Sequence, residues 1–253
     1  MSECTLHPTC VMKSMVAPSQ ISITLSYPAV VGTIHSAVSL AAAQRLGEGE
    51  CDWLELRVDN FFPEIGKLLR AAPKLRSPRI VTVRHPSEGG MAKGLTARQR
   101  RALYGDFLGV AGLVDLELRQ AAPMKEVIRE AKGAGVGVIL SHHDFQGTPR
   151  PKELRELARR AGEAGADIFK VATMTRDAGD LAILIEFLAN AKGNHHPRLA
   201  VMGMGAYGKV SRLALARAGS CLNYGYLGTA NASGQWPVAV LKARIGEIMN
   251  YEL

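Results

Sequence analysis

The chain has 253 residues, 47% of them apolar and 6% aromatic, with 31 lysines and arginines against 23 acidic residues and a formal charge of +8. That composition belongs to globular proteins with a sizeable core, and no apolar run is long enough to span a bilayer or to serve as the centre of a signal peptide. The basic residues are scattered (Arg98–Arg101, Arg159–Arg160, Lys192) and lack interleaved aromatics, which reads as a solvated surface able to attract a small anion and not as a nucleic-acid binder. Cys4, Cys10, Cys51 and Cys221 have no metal-ligand spacing and no framework density; they fit reduced thiols and an expected cytoplasmic location.

Residues 1–20 are polar and irregular, with Pro8 and Pro18, and are expected to form a loose leader. A strand–helix beat then repeats to the end, so residues 21–253 are expected to form one catalytic domain. Ala29–Ile34 is a strand and Ser36–Arg45 has helical character. Asp52–Arg57 is the second strand, with a helix around Pro63–Arg70. Ile80–Arg84 is the third, followed by a Glu88-Gly89-Gly90 loop and a helix over Thr96–Leu108. Leu113–Leu118 is the fourth, with Met124–Lys132 helical. Val136–Leu140 is the fifth, and Pro151–Ala164 is a strong helix. Ala166–Ala172 is the sixth, followed by a helix over Gly179–Ala191. Leu199–Met202 is the seventh, with Ser211–Ala218 helical, and Leu222–Tyr226 the eighth, with Pro237–Asn250 as the closing helix. Eight such units in one chain predict an α/β fold, a closed (β/α)8 TIM barrel. No Gly-x-Gly-x-x-Gly follows the first strand, which removes the simplest dinucleotide reading.

In a (β/α)8 barrel, functional groups gather at the C-terminal ends of the strands. The ionisable residues within the strands fall late in each, and further polar groups follow the last two strands: Glu55, Arg57 and Asp59; Arg84 and then Glu88; Asp115 and Glu117; His142 and His143; Lys170; Ser211 and Arg212 after the seventh; Asn231 and Gln235 in the loop after the eighth. Seven strand ends carrying such groups are unlike core decoration. No trio has metal-ligand spacing, and His142 and His143, being adjacent, point to opposite faces of a strand. Lys170 stands alone among Ile168, Phe169, Val171 and Ala172. Two readings of it stand. Either its amine escapes to water or to a carboxylate, or it is an amine tuned to attack a carbonyl. With a histidine as acid and base and an arginine to clamp an anion, the second reading describes an imine-forming lyase, an aldolase or a dehydratase.

Over about residues 28–250 the sequence resembles the type I 3-dehydroquinate dehydratases of the shikimate pathway. The motifs stand in order: Glu55-Leu-Arg57-Val-Asp59, Thr82-Val-Arg84 with Glu88-Gly-Gly90, Asp115-Leu-Glu117, Ser141-His-His143-Asp-Phe145, Lys170-Val-Ala172, Met204-Gly205 with Gly208 and Ser211-Arg212, and Gly234-Gln235. The resemblance implies a syn elimination of water from 3-dehydroquinate to 3-dehydroshikimate without metal or cofactor, in a homodimer that engages neither nucleic acid nor membrane. It makes Lys170 the Schiff-base amine, His143 the general base and acid, and Glu88 the residue that orients His143. It assigns Glu55, Arg57 and Arg84 to the ring hydroxyls, and Arg212 with Gln235 to the carboxylate. Arginines nearby are expected to favour a neutral Lys170, and Asp115 and Glu117 to support the network from one remove.

Where the family has Ser-Ala-Pro-Gly-Gln after the eighth strand, this chain has Asn231-Ala-Ser-Gly-Gln235, so Asn231 stands in for a carboxylate-binding serine and altered substrate affinity is expected. Two rivals remain. One is an imine-forming barrel aldolase with a phosphate cradle at Gly203–Gly208. The other is a non-catalytic barrel that binds a dehydroquinate-like ligand.

Overall fold

The structure is a computed structural model that describes residues 28–62, 64–191, 197–230 and 232–251. The expected leader, Cys4, Cys10, Lys192 and Asn231 lie outside the described residues. The elements are β1 Ala29–Ile34, α1 Ala37–Ala43, β2 Trp53–Arg57, α2 Ile65–Ala71, β3 Arg79–Thr82, α3 Ala97–Leu108, β4 Leu113–Glu117 and α4 Lys125–Gly133. They continue as β5 Gly137–Asp144, α5 Pro151–Glu163, β6 Ile168–Met174, α6 Ala178–Asn190, β7 Arg198–Met204, α7 Gly208–Arg217, β8 Leu222–Tyr226 and α8 Val238–Asn250.

All strand pairs are parallel, in the order β7-β6-β5-β4-β3-β2-β1-β8, so the barrel is nearly closed. The β7–β8 seam has no continuous ladder. Its lower end is joined by Cys221 N–H donating to the Leu199 carbonyl at 2.8 Å, and by Ser220 Oγ, which accepts from Val201 N–H at 2.9 Å. Strand alternation sorts the core into two parts. Outward residues such as Leu54, Val81, Leu116, Leu140, Phe169 and Val201 pack under the helices. Inward residues such as Val31, Trp53, Ile80, Leu113, Ile139, Ile168 and Leu222 fill the barrel's interior. The apolar inward residues occupy the N-terminal halves of the strands. The ionisable ones follow two or four residues later, above that plug.

Five strands end elsewhere than expected: β4 stops one residue early at Glu117, β6 and β7 each run two residues further, to Met174 and Met204, and β3 and β5 differ for identifiable reasons. β3 stops at Thr82 because the next two amides leave the ladder: Val83 N–H donates to the Tyr104 hydroxyl (3.2 Å) and Arg84 N–H to Asp59 Oδ1 (3.1 Å). β5 runs past Leu140 to Asp144, because His142, His143 and Asp144 pair with Val171, Ala172 and Thr173 of β6. The helices start where local chemistry supplies their orphan amides. Thr96 and Gln99 form a reciprocal capping box on α3, and Asp177 caps α6 through Asp180 N–H. The Arg98–Arg101 run is not uniformly on the surface. Arg100 is 1% exposed, because it shares the apolar face of α3 with Leu103, Tyr104 and Phe107.

Candidate active site

The C-terminal mouth of the barrel opens into a cavity of about 270 Å3, close to the lower end of the roughly 300–1,000 Å3 common for small-molecule sites. Of the residues singled out in the sequence, Glu55, Arg57, Arg84, Glu88, His143, Lys170, Arg212 and Gln235 all line it. Asn231 falls outside the described residues. Alternation accounts for the convergence. Glu55 lies two residues after inward Trp53, Asp115 two after Leu113, and Lys170 two after Ile168. His143 lies four after Ile139, and the β5–β6 register sets Ser141 against Lys170 and His143 against Ala172.

Lys170 Nζ donates to Asp115 Oδ2 at 2.7 Å, lies 3.7 Å from Glu55 Oε1, and sits 4.3 Å above the centre of the Tyr224 ring. Asp115 is therefore the direct partner of Lys170 and not a support at one remove. Its other contacts are Arg84 Nη2 at 2.9 Å and Ser141 Oγ at 2.7 Å. Burial alone would raise the Asp115 carboxyl, but the Arg84 guanidinium and the Lys170 ammonium outweigh it and hold it well below the usual carboxylate range. Arg84 also bonds Glu117 Oε1 (3.2 Å) and Ser141 Oγ (2.6 Å), and Arg100 meets Glu117 Oε2 at 2.6 Å. This buried chain of alternating charges pairs every acid with a cation and leaves Arg100 Nη1 buried without a hydrogen-bond partner among the described residues. Burial opposes the Arg84 charge, and Asp115 and Glu117 more than restore it.

His143 faces the cavity and His142 faces outward, as strand alternation requires. His143 Nδ1 lies 2.8 Å from Glu88 Oε2, which also accepts the His143 backbone N–H at 3.0 Å. Desolvation, reinforced by Arg84 and Lys170, pushes the His143 pKa well below the ordinary imidazole value, so the ring is neutral at neutral pH. Burial pushes Glu88 up to about 7 against the pull of the Arg84 and Arg119 charges. Phe145 stacks on the His143 ring at a centroid distance of 6.3 Å and completes that wall.

The loop that carries Glu88 depends on its glycines. Gly89 has φ +84°, and a Cβ on Gly90 would sit 2.0 Å from the Arg84 carbonyl oxygen. Arg57 is held by Asp59 through two bonds, Nε at 3.1 Å and Nη2 at 2.9 Å, and also reaches the Gly89 carbonyl. Glu55 accepts from Thr33 Oγ1 (3.2 Å) and Thr82 Oγ1 (3.0 Å).

Arg212, 2% exposed, is paired to carbonyls and not to an acid. Nε donates to Tyr224 O (2.9 Å), and Nη1 to Gly203 O (3.0 Å), Gly208 O (2.7 Å) and Gly234 O (2.6 Å). Desolvation lowers its pKa to about 10. A buried guanidinium at the cavity wall whose bonds run to neutral carbonyls attracts an anion. The Gly203–Gly208 turn, considered as a phosphate cradle, instead turns two of its carbonyls to Arg212, and Gly205 N–H donates to Ser233 Oγ at 3.2 Å.

Sequence reasoning missed Arg100, Arg119, Ser141 and Tyr224. Arg100 had a signal, the i, i+3, i+4, i+7 stripe with Leu103, Tyr104 and Phe107, and Tyr224 follows inward Leu222 by two. Arg119, in the turn after β4, had none. Among the described residues, no group of three or more His, Cys, Asp or Glu side chains could hold a metal ion, and no helix is long and apolar enough to cross a membrane. The thiols of Cys51 and Cys221 are free and buried, with pKa values pushed up by desolvation to about 11 and about 12.

A family model described as Type I 3-dehydroquinase matches residues 30–248. A 3-dehydroquinate dehydratase from Geobacillus thermodenitrificans is 31% identical, over 88% of this chain and 90% of its own. Among solved structures, the 3-dehydroquinate dehydratase from Geobacillus kaustophilus superposes with a TM-score of 0.81 at 29% identity, covering 90% of this chain and 93% of its own. The type I 3-dehydroquinate dehydratase from Clostridium difficile, solved with covalently modified comenic acid, gives a TM-score of 0.78 at 27% identity, covering 88% of this chain and 92% of its own.

Proposed function

The chain belongs to the type I 3-dehydroquinase family, and on that premise we propose a mechanism for its dehydration of 3-dehydroquinate, a hydro-lyase reaction, through an imine on Lys170. The observation that carries the reading is the arrangement of Lys170 on one wall of the cavity, bonded to the buried Asp115, with the His143–Glu88 pair on the same wall two residues further along the neighbouring strand. A ketone and an ammonium give a protonated imine and water with no net change in protons. The positive charge therefore stays on the lysine nitrogen, next to Asp115, Glu55 and the face of Tyr224.

The iminium acidifies the adjacent carbon. Neutral His143 takes that proton on Nε2, leaving an enamine and an imidazolium. The low pKa of the ring then makes the imidazolium a strong acid, which protonates the departing hydroxyl as the enamine electrons expel it. Water and a conjugated iminium result, and hydrolysis of the iminium frees the product and restores Lys170. A single base that takes the proton and returns it to the hydroxyl acts from one face of the ring, which is a syn elimination.

The 3-dehydroquinate carboxylate suits Arg212 with Gln235, while Glu55, Arg57 and Arg84 are close enough to the cavity to meet ring hydroxyls. The Arg57 side chain is 13% exposed and that of Arg84 2%, so Arg57 is the stronger candidate of the two.

The test is borohydride reduction in the presence of 3-dehydroquinate, followed by peptide mapping. A reduced adduct on Lys170, absent in Lys170→Ala together with turnover, is the expected result. An adduct on another residue, or a Lys170→Ala variant that keeps near-full activity, would end the imine mechanism.

A further inference from the structure

Glu88 has two oxygens with different duties. Oε2 receives the His143 backbone and ring nitrogens. Oε1 is buried without an aligned hydrogen bond, and the Nε of Arg119 lies 2.7 Å from it. Arg119 comes from the turn after β4, outside the cavity. Its side chain is 48% exposed, while that of Glu88 is fully buried. The other titratable and charged groups that face this pair are Arg84 and His85 after β3, Glu117 on β4, and His142 on the outer face of β5. Arg84 acts on Glu88 through its charge while its hydrogen bonds run to Asp115, Glu117 and Ser141, and Arg119 is the cation in direct contact with Glu88.

The protonation state of Glu88 decides which nitrogen of His143 can act. A carboxylate only accepts, so Nδ1 carries the proton and Nε2 is left with its lone pair toward the cavity. A protonated Glu88 would donate to Nδ1, and the neutral ring would then carry its proton on Nε2, where no base remains. Burial already pushes Glu88 toward that second state.

We propose that Arg119 is a positioning residue for the dehydration: from outside the cavity, its guanidinium extends to lower pH the range in which Glu88 is a carboxylate and His143 is the tautomer with a free Nε2. The inference rests on the reading of His143 as the general base. It assigns to a half-exposed turn residue a control over the pH range in which the enzyme works.

The experiment is kcat and KM against pH for the full-length chain and for Arg119→Gln, Arg119→Lys and Glu88→Gln, each with its thermal midpoint. Arg119→Gln is expected to move the acidic limb of the kcat profile up by about one pH unit, at the low end of what an adjacent charge does, because the pair is open to solvent on one side. KM stays near the parent value, kcat recovers at high pH, and Arg119→Lys returns the limb most of the way. A superimposable Arg119→Gln profile, or one lowered equally at every pH, overturns the inference. Glu88→Gln separates the two levels. If it turns over slowly at all pH values while still trapping the imine, the His143 reading stands, and an unshifted Arg119→Gln profile sinks only the inference. If Glu88→Gln is fully active, the ionisation of Glu88 does not govern His143 and the inference fails, while the His143 reading stands or falls separately on His143→Ala.

Discussion

At the scale of single residues, the two adjacent histidines show how little separates a position in the cavity wall from one on the outer face of the same strand. His143 contacts Glu88 at 2.8 Å in the cavity wall, whereas His142 lies on the other face of the same strand, near Arg119 and Arg160. His143→Ala is therefore expected to lower kcat by about 10²–10⁴-fold while borohydride still traps an adduct on Lys170. His142→Ala should stay within a few-fold of the parent, and steady-state kinetics on both variants decides it. If His142→Ala proved the damaging change, the β5 register would be wrong by one residue. Tyr224 belongs to the same scale. Its ring lies under Lys170, and its hydroxyl is buried without a partner among the described residues.

At the scale of elements, the seam between β7 and β8 is where structure and site meet. No continuous ladder joins these strands, and Arg212 spans their upper ends from α7 by bonding Gly203 O on one side and Tyr224 O on the other. The same guanidinium holds the α7 start and the following loop through Gly208 O and Gly234 O. The two glycines are needed there because a Cβ on Gly208 would approach Gly234 Cα to 2.6 Å. Arg212→Met should cost about 2–5 kcal/mol in a urea titration, since several buried carbonyls lose a charged donor, and should raise KM more than it lowers kcat. Arg212→Lys should keep part of the substrate affinity and recover little of the stability, because an ammonium cannot reproduce the guanidinium fork. A stability close to the parent for both variants would show that the seam does not depend on this residue.

For the whole molecule, the arrangement that equips the site works against folding. Glu88 has a folded pKa raised from 4.5 to about 7. Between those values the folded protein holds a proton that the unfolded chain has released, so this group's contribution to stability falls as pH rises through that window. Above pH 7 the cost is present in full, roughly 3 kcal/mol at most. Glu88→Gln should then gain stability relative to the parent as pH rises from about 4.5 to 7, while losing activity. Urea midpoints of the two proteins across that range check it, and a difference that does not change with pH would mean Glu88 titrates normally. Asp115 has the opposite sign. Its depressed pKa contributes stability above the ordinary carboxylate range, and that stability is lost only in strong acid.

Read alone, the sequence was enough to determine the eight strand–helix units, the barrel, and which residues face its mouth. Those follow from short-range rules: a period of two along each strand, apolar residues early and ionisable ones late, and glycine or capping residues at the turns. Lys170 was legible for that reason, and Arg212 and Glu88 as groups that follow strand ends; the choice of His143 over His142, and the pairing of Glu88 with it, came from the family resemblance. What those groups touch was decided only by the tertiary structure. The pairing of Lys170 with Asp115, 55 residues away, depends on strand register around the barrel. The burial of Arg100 against Glu117 depends on how α3 docks, and the Glu88–Arg119 contact on two loops meeting outside the mouth. The open β7–β8 seam and its arginine stitch likewise arise from closure of the sheet. Periodicity along a strand says which face a side chain takes. Which charge stands across from it is set by packing between segments far apart in the chain, and in a low-dielectric interior that neighbour determines how each ionisable group titrates.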